Sequence, residues 1–172
     1  GAYTRYVEQF PRPIDTAVET RFKIAGMHQA AHDEPRYLQE LQQIVRIDAE
    51  AGAERTNRTR TVAARSALVL SEQLYRQFAE VQLRQPFEAS LAEKKRLMDA
   101  AVEAFGQLVD YEIGDVTAAA TFYIAETYIG FSRALVGSER PAGLHGAELQ
   151  EYELALEDAY RSHLRAEYGV EF

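Results

Sequence analysis

A seven-residue pattern that occurs three times in the chain decides the fold. It reads FKIAGMH at Phe22–His28, LVLSEQL at Leu68–Leu74 and FYIAETY at Phe122–Tyr128. Each copy begins with an apolar residue, has an aliphatic residue two positions later and a small residue directly after that, and carries a larger residue three positions further. Such spacings are typical of one face of an α-helix. We expect each copy to lie in the first helix of a helical hairpin, which makes the hairpin a repeating unit.

The composition favours an all-helical protein with a hydrophobic core. The chain has 172 residues, of which 47% are hydrophobic and 27% charged, with only 5 Pro and 10 Gly. This composition argues against a disordered chain. There is no Cys, which removes disulfides and Cys-based metal sites. The net charge of −8 argues against a general nucleic-acid binder. No apolar run approaches the length of a membrane span.

Periodic apolar residues and helix-breaking residues predict a series of paired helices. Asp33 is expected to cap a helix whose first turn contains Pro35. The helix predicted over 116–136 is apolar nearly all round, so we expect it to be the most buried. No strand pattern competes. The predicted helices are 14–31, 34–51, 56–83, 88–111, 116–136 and 147–168.

These helices are expected to form one domain over 1–172 that is built from about three antiparallel hairpins. The hairpins cover about 14–51, 56–111 and 116–168, and residues 1–11 match the tail of a preceding repeat. A helix without a partner at the start of the chain suggests a fragment of a longer protein. We expect the small residue of each heptapeptide to mark a close helix–helix contact.

The residues of the first hairpin carry a resemblance to a known family. Ile24, Ala25 and His28 match the front positions of a 34-residue repeat, and Asp33 matches its turn. The order of apolar residues after the turn also fits, and the chain resembles tetratricopeptide repeat proteins, in particular the divergent repeats of bacterial cell-envelope proteins. The second and third hairpins depart from the consensus in helix length and spacing. The resemblance implies a right-handed superhelix of helical hairpins.

The same resemblance implies where a partner would bind. In such repeats the first helix of each hairpin lines a concave groove. Carrying the register over places six residues in that groove: Gln29, Arg65, Glu72, Arg76, Phe122 and Glu126.

Two charged features have both a functional and a structural interpretation. Glu126 is the only charge between Asp115 and Arg133, and it either faces the groove or forms an internal ion pair, for example with Arg76. A basic island at the start of the long helix either accepts an acidic peptide or is an ordinary solvated helix face. Its members are Arg55, Arg58, Arg60 and Arg65.

No motif for catalysis is recognisable. His28 and His32 stand four residues apart, a spacing that suits zinc, but Gln29 takes the place of the glutamate of a metalloprotease helix and no third ligand is evident. We therefore expect no cofactor, no metal and no enzymatic activity.

The expected function is a scaffold that binds a protein or peptide partner, and not nucleic acid, in the bacterial periplasm or cell envelope, or otherwise in the cytoplasm. Two other functions stay open. One is a helical-bundle enzyme, or a protein that binds a metal or small ligand near His28 and His32 or near Glu126. The other is a structural spacer.

Overall fold

The computed structural model describes residues 12–140, 143, 145–154, 156 and 157. These residues contain no strand, which confirms the predicted all-α class. The predicted tail of a preceding repeat at 1–11, and the end of the predicted third hairpin at 158–168, lie outside the described residues. The helices are α1 (Ile14–Ala30), α2 (Glu34–Glu50), α3 (Asn57–Glu80), α4 (Phe87–Gln107) and α5 (Gly114–Val136), with 3₁₀ turns at Gly52–Glu54 and Leu108–Tyr111. Residues 147–154, 156 and 157 are also helical.

Side-chain caps account for the start of α2 and of α3. The Asp33 carboxylate accepts a hydrogen bond from the Arg36 backbone N–H at 3.3 Å, and Pro35 lies in the first turn, as predicted. Thr56 and Thr59 form a reciprocal capping box at the start of α3, each side chain accepting from the other residue's N–H at 3.1 Å. Both devices satisfy backbone donors that have no partner within the helix.

Consecutive helices pack together and run antiparallel. For α2 and α3, Asp48 contacts Thr59 near one end of the pair, and Glu34 contacts Arg76 near the other. The first helices of the predicted hairpins, α1, α3 and α5, run parallel, and each contacts the next. Arg65, in the first half of α3, contacts Asp115 at the start of α5. Phe78, near the end of α3, lies beside Gly130 in the second half of α5, so these two helices run in the same direction.

The hydrophobic core consists of three main clusters, and α3 contributes to all of them. Val62 and Ala63 pack with residues of α1 and α2. Ala64 packs with residues of α4 and α5. Phe78 packs nearer the start of α4 and nearer the end of α5, in a cluster that Leu156 of the last helical segment also contacts. The long central helix therefore joins the first hairpin to the rest of the described structure.

The prediction that the helix at 116–136 is the most buried one is wrong. On α5, Phe122, Ile129 and Val136 are 59%, 41% and 73% exposed. The small residues also differ in their surroundings. Ala25 and Ser71 are buried as expected, whereas Ala125 is exposed. An apolar helix face is buried only where another element covers it, and the main neighbours of α5 in the described part of the chain are α3 and α4.

Candidate functional site

The three parallel helices share a surface on which their polar residues meet. On α1, Asp15 accepts a hydrogen bond from Thr56 at 2.7 Å, and Glu19 pairs with Arg58 of α3 at 2.5 Å. Residues spaced by three and four lie on one side of a helix. The line that begins at Asp15 and Glu19 therefore continues through Phe22 and Gln29, which are both exposed.

Residues at the same helical spacing on α3 and α5 also form two lines that are in contact with each other. Arg65 of α3 pairs with Asp115 of α5 at 3.1 Å. From these residues the lines continue at helical spacing through the remaining predicted site residues. Arg76 and Phe122 are exposed, and Glu72 and Glu126 are half-buried. We call this surface the first-helix face, and it comprises Phe22, Gln29, Arg65, Glu72, Arg76, Phe122 and Glu126.

Tyr123 links the first-helix face to the core. Its ring stacks on the fully buried Phe105 with centroids 4.9 Å apart, and it contacts Tyr75 at 5.2 Å. The exposed ring of Phe122 meets it edge-on at 5.5 Å. Sequence reasoning missed Tyr123 and Tyr75 as parts of the site. The one available signal was the aromatic pair at the start of the third heptapeptide.

Glu72 is the electrostatic centre of this cluster. Burial, and next the Glu72 carboxylate through its charge and a hydrogen bond, raise the pKa of Tyr123 above its ordinary value. Burial, followed by the charges of Glu72 and Glu34, also raises the pKa of Tyr37 at the start of α2. Glu72 therefore influences phenols on two different helices.

The substitution Glu72→Gln should lower the pKa of Tyr123 and, by charge alone, that of Tyr37. Phenols with raised pKa contribute stability that is complete below pH 10, the usual tyrosine value, and is lost as the pH rises through the folded-state pKa. In the variant the loss should therefore still begin near pH 10, but it should end at a lower pH and be smaller in total. Tyrosine ring ¹³C chemical shifts, followed against pH, measure the change.

Tyr111 provides the internal reference for this titration. Its pKa is raised by burial and then by Asp48, not by Glu72, so it should be unchanged in the variant. If Tyr123 also kept its titration curve, Glu72 would not lie against its hydroxyl.

Every arginine of the basic island has a carboxylate partner within the molecule. Arg55 pairs with Asp48, Arg58 with Glu19, Arg60 with Glu112 and Arg65 with Asp115, at 2.8, 2.5, 3.4 and 3.1 Å. These pairs tie the start of α3 to α1, to α2 and to the start of α5. The structural interpretation of the island therefore accounts for all four guanidinium groups.

The suggested ion pair between Glu126 and Arg76 is not present. Arg76 lies 3.8 Å from Glu34 instead. In the register set by Arg65 and Asp115, Arg76 is level with Glu126, but its guanidinium lies against Glu34 of α2. Among the described residues, Glu126 has no ion-pair partner.

The two histidines at the end of α1 do not converge on a shared ligand site. His28 lies with its Nδ1 3.9 Å from Asp33. His32 is exposed and has a positive φ of 55°, in the turn that joins α1 to α2. Within the described ranges there is no group of three or more His, Cys, Asp or Glu side chains that could hold a metal ion. Nor does any helix in these ranges have the length and apolar character that crossing a bilayer requires.

Comparisons with known proteins complete the description of the site. The chain matches no protein-family model, no curated protein and no solved structure at a significant level.

Proposed function

We propose that the protein is a recognition scaffold that binds a protein or peptide partner on its first-helix face, without chemistry. The observation that carries the proposal is the exposure of two aromatic side chains at equivalent positions of the repeated heptapeptide. Phe22 is 49% exposed on α1 and Phe122 is 59% exposed on α5. The equivalent Leu68 of α3, between them, is half-buried. Large aromatic anchors held by rigid helices are the side chains that dominate binding energy in protein interfaces.

The order of helix contacts supports a tetratricopeptide-like stack as the scaffold. In such a stack each first helix contacts its own second helix, the preceding second helix and the neighbouring first helices. The contacts of α3 with α4, with α2, and with α1 and α5 have this pattern. In the proposed superhelix, α1, α3 and α5 line the concave side. The resemblance to divergent envelope repeats extends the proposal to an assembly role in the bacterial cell envelope.

A preformed surface of this kind favours binding over catalysis. The helices that carry Phe22 and Phe122 are fixed by buried contacts, so little conformational entropy of the scaffold is lost when a partner binds. The charged residues between the helices form ion pairs that hold the helices in register. The outward-facing aromatic rings then remain available to a partner.

Selection of peptides from a random display library on the immobilised chain tests this proposal. Selected peptides should lose at least tenfold in affinity for Phe122→Ala and for Phe22→Ala, which corresponds to about 1.4 kcal/mol or more. Met27→Ala is the matched control, because Met27 is 55% exposed on α1 but lies off the line of Phe22. Its affinity for the peptides should be unchanged.

Two outcomes would contradict the proposal. One is that no peptide is selected, which would favour a structural spacer. The other is that selected peptides bind the Phe22→Ala and Phe122→Ala variants as tightly as the original chain. Thermal melting of each variant shows whether a loss of affinity comes with a loss of folding.

A further inference from the structure

On the first-helix face, the arginines form ion pairs but, within the described ranges, the two glutamates do not. Its arginines are paired, Arg65 with Asp115 and Arg76 with Glu34. Glu72 and Glu126 have no ion-pair partner among the residues that the structure describes. The next cation along the line of Glu126 is Arg133, about 10 Å further along α5. The middle of the face therefore carries two carboxylates without an ion pair to any described residue, and the nearby Arg76 is directed to Glu34.

The two carboxylates occupy equivalent places in the repeat. Each directly follows the small residue of its heptapeptide, as in Ser71–Glu72 and Ala125–Glu126. Tyr123 is level with Glu72, and Glu126 is three residues further along α5, so the Cα atoms of Glu72 and Glu126 are about 10 Å apart on neighbouring helices. A short peptide segment is long enough to contact both carboxylates.

Aromatic rings lie between and beside these carboxylates. Phe122 immediately precedes Tyr123, whose ring contacts both Phe122 and Tyr75. An aromatic surface attracts a cation through the negative face of the ring, and it also packs against the apolar stem of a lysine or arginine. Carboxylates beside the exposed ring of Phe122 therefore suit a long basic side chain better than an acidic or a purely apolar one.

From this arrangement we infer that the partner segment carries a lysine or arginine next to an aromatic or aliphatic residue. The basic side chain lies between Glu72 and Glu126, and the apolar residue packs on Phe122. The inference rests on the proposed function and adds the chemistry of the partner to it. The net charge of −8 favours the approach of such a segment at low ionic strength.

The composition of the peptides selected by display tests the inference directly. Basic residues adjacent to aromatic or aliphatic residues should be enriched. In a synthetic copy of a selected peptide, replacing the basic residue with glutamine should weaken binding about tenfold, and raising the salt concentration should weaken binding of the original peptide. Glu72→Gln and Glu126→Gln should each weaken it about fivefold.

Asp99→Asn is the matched control, because it removes the same charge from an exposed position on α4, away from the first-helix face. Its affinity for the peptide should be unchanged, and an equal loss with this variant would overturn the inference in favour of unspecific attraction to an acidic protein. Peptides that lack basic residues but still depend on Phe122 would overturn the inference while the proposed function stands. Peptides that do not depend on Phe122 would overturn both.

Discussion

Replacing Arg55 with methionine should lower the free energy of unfolding by about 3–5 kcal/mol, because it leaves a buried carboxylate without a cation. The Asp48 side chain is fully buried, and its Oδ2 accepts a hydrogen bond from Arg55 Nε at 2.9 Å and lies 2.8 Å from a second guanidinium nitrogen. The other oxygen accepts from Thr59 at 2.7 Å. Arg55 also lies 5.4 Å from the centre of the Tyr111 ring. Urea denaturation at neutral pH measures the loss.

Two further variants separate the buried charge from the loss of a surface arginine. Arg46→Met removes an arginine whose pair with Glu50 is exposed, and it should cost no more than about 0.5 kcal/mol. Adding Asp48→Asn to Arg55→Met should recover part of the stability, because no carboxylate is then left buried. A loss below about 1 kcal/mol for Arg55→Met would show that Asp48 reaches solvent when the arginine is absent.

Replacing Lys94 with methionine should cost about 2–3 kcal/mol, because two carbonyl groups at the end of α3 lose the hydrogen bonds that they accept from its charged amine. Lys94 is 3% exposed, and its Nζ donates to the carbonyls of Phe78 and Val81 at 2.7 and 2.9 Å. It also lies 4.0 Å from the centroid of the Phe78 ring. The last carbonyls of a helix have no partners within the helix, so this side chain takes the place of a C-terminal cap.

The pH dependence of this difference has a defined sign. Burial lowers the pKa of Lys94, so at high pH the unfolded chain retains a proton that the folded chain has lost. Between the lowered pKa and 10.5, the ordinary value, the stability of the original chain should rise relative to Lys94→Met. The neutral amine still has hydrogen atoms to donate to both carbonyls. Urea denaturation of both proteins at several pH values measures the difference.

Lys95→Met is the neighbouring control, since Lys95 is exposed on the same helix. Because an exposed interaction contributes little, it should change stability by no more than about 1 kcal/mol. If Lys94→Met behaved in the same way, the hydrogen bonds to the end of α3 would contribute little to the folded state. If its stability relative to the original chain did not change with pH, Lys94 would have an ordinary pKa.

Local signals predicted much of the helical structure. Asp33 and Pro35 correctly marked the start of α2, because capping depends on residues that are close in sequence. The helix predicted over 56–83 corresponds to α3, at Asn57–Glu80. These features need no knowledge of how the helices pack together.

Features that depend on contacts between helices were not predictable in the same way. Lys94 belongs to the basic run Lys94-Lys95-Arg96, which by itself suggests a solvated surface position. Its burial follows from contacts with the end of α3, 13 to 16 residues earlier in the sequence. The apolar composition of α5 suggested burial, but composition does not reveal which side of a helix lacks a neighbour. The six predicted site residues came from the repeat register. The register gives the positions that share one side of a helix, but it does not show which carboxylates pair with Arg65 and Arg76.

The central position of α3 has a consequence for how substitutions combine. The helices α1 and α2 meet the rest of the described structure chiefly through α3, and so do α4 and α5 from the other side. Changes confined to α1 and to α5 share few partners, so their effects on stability should add. Changes on α3 should not add with either set. The two ends of the molecule are thus coupled mainly through one helix, with a further contribution from Tyr111, which packs against the clusters on both sides.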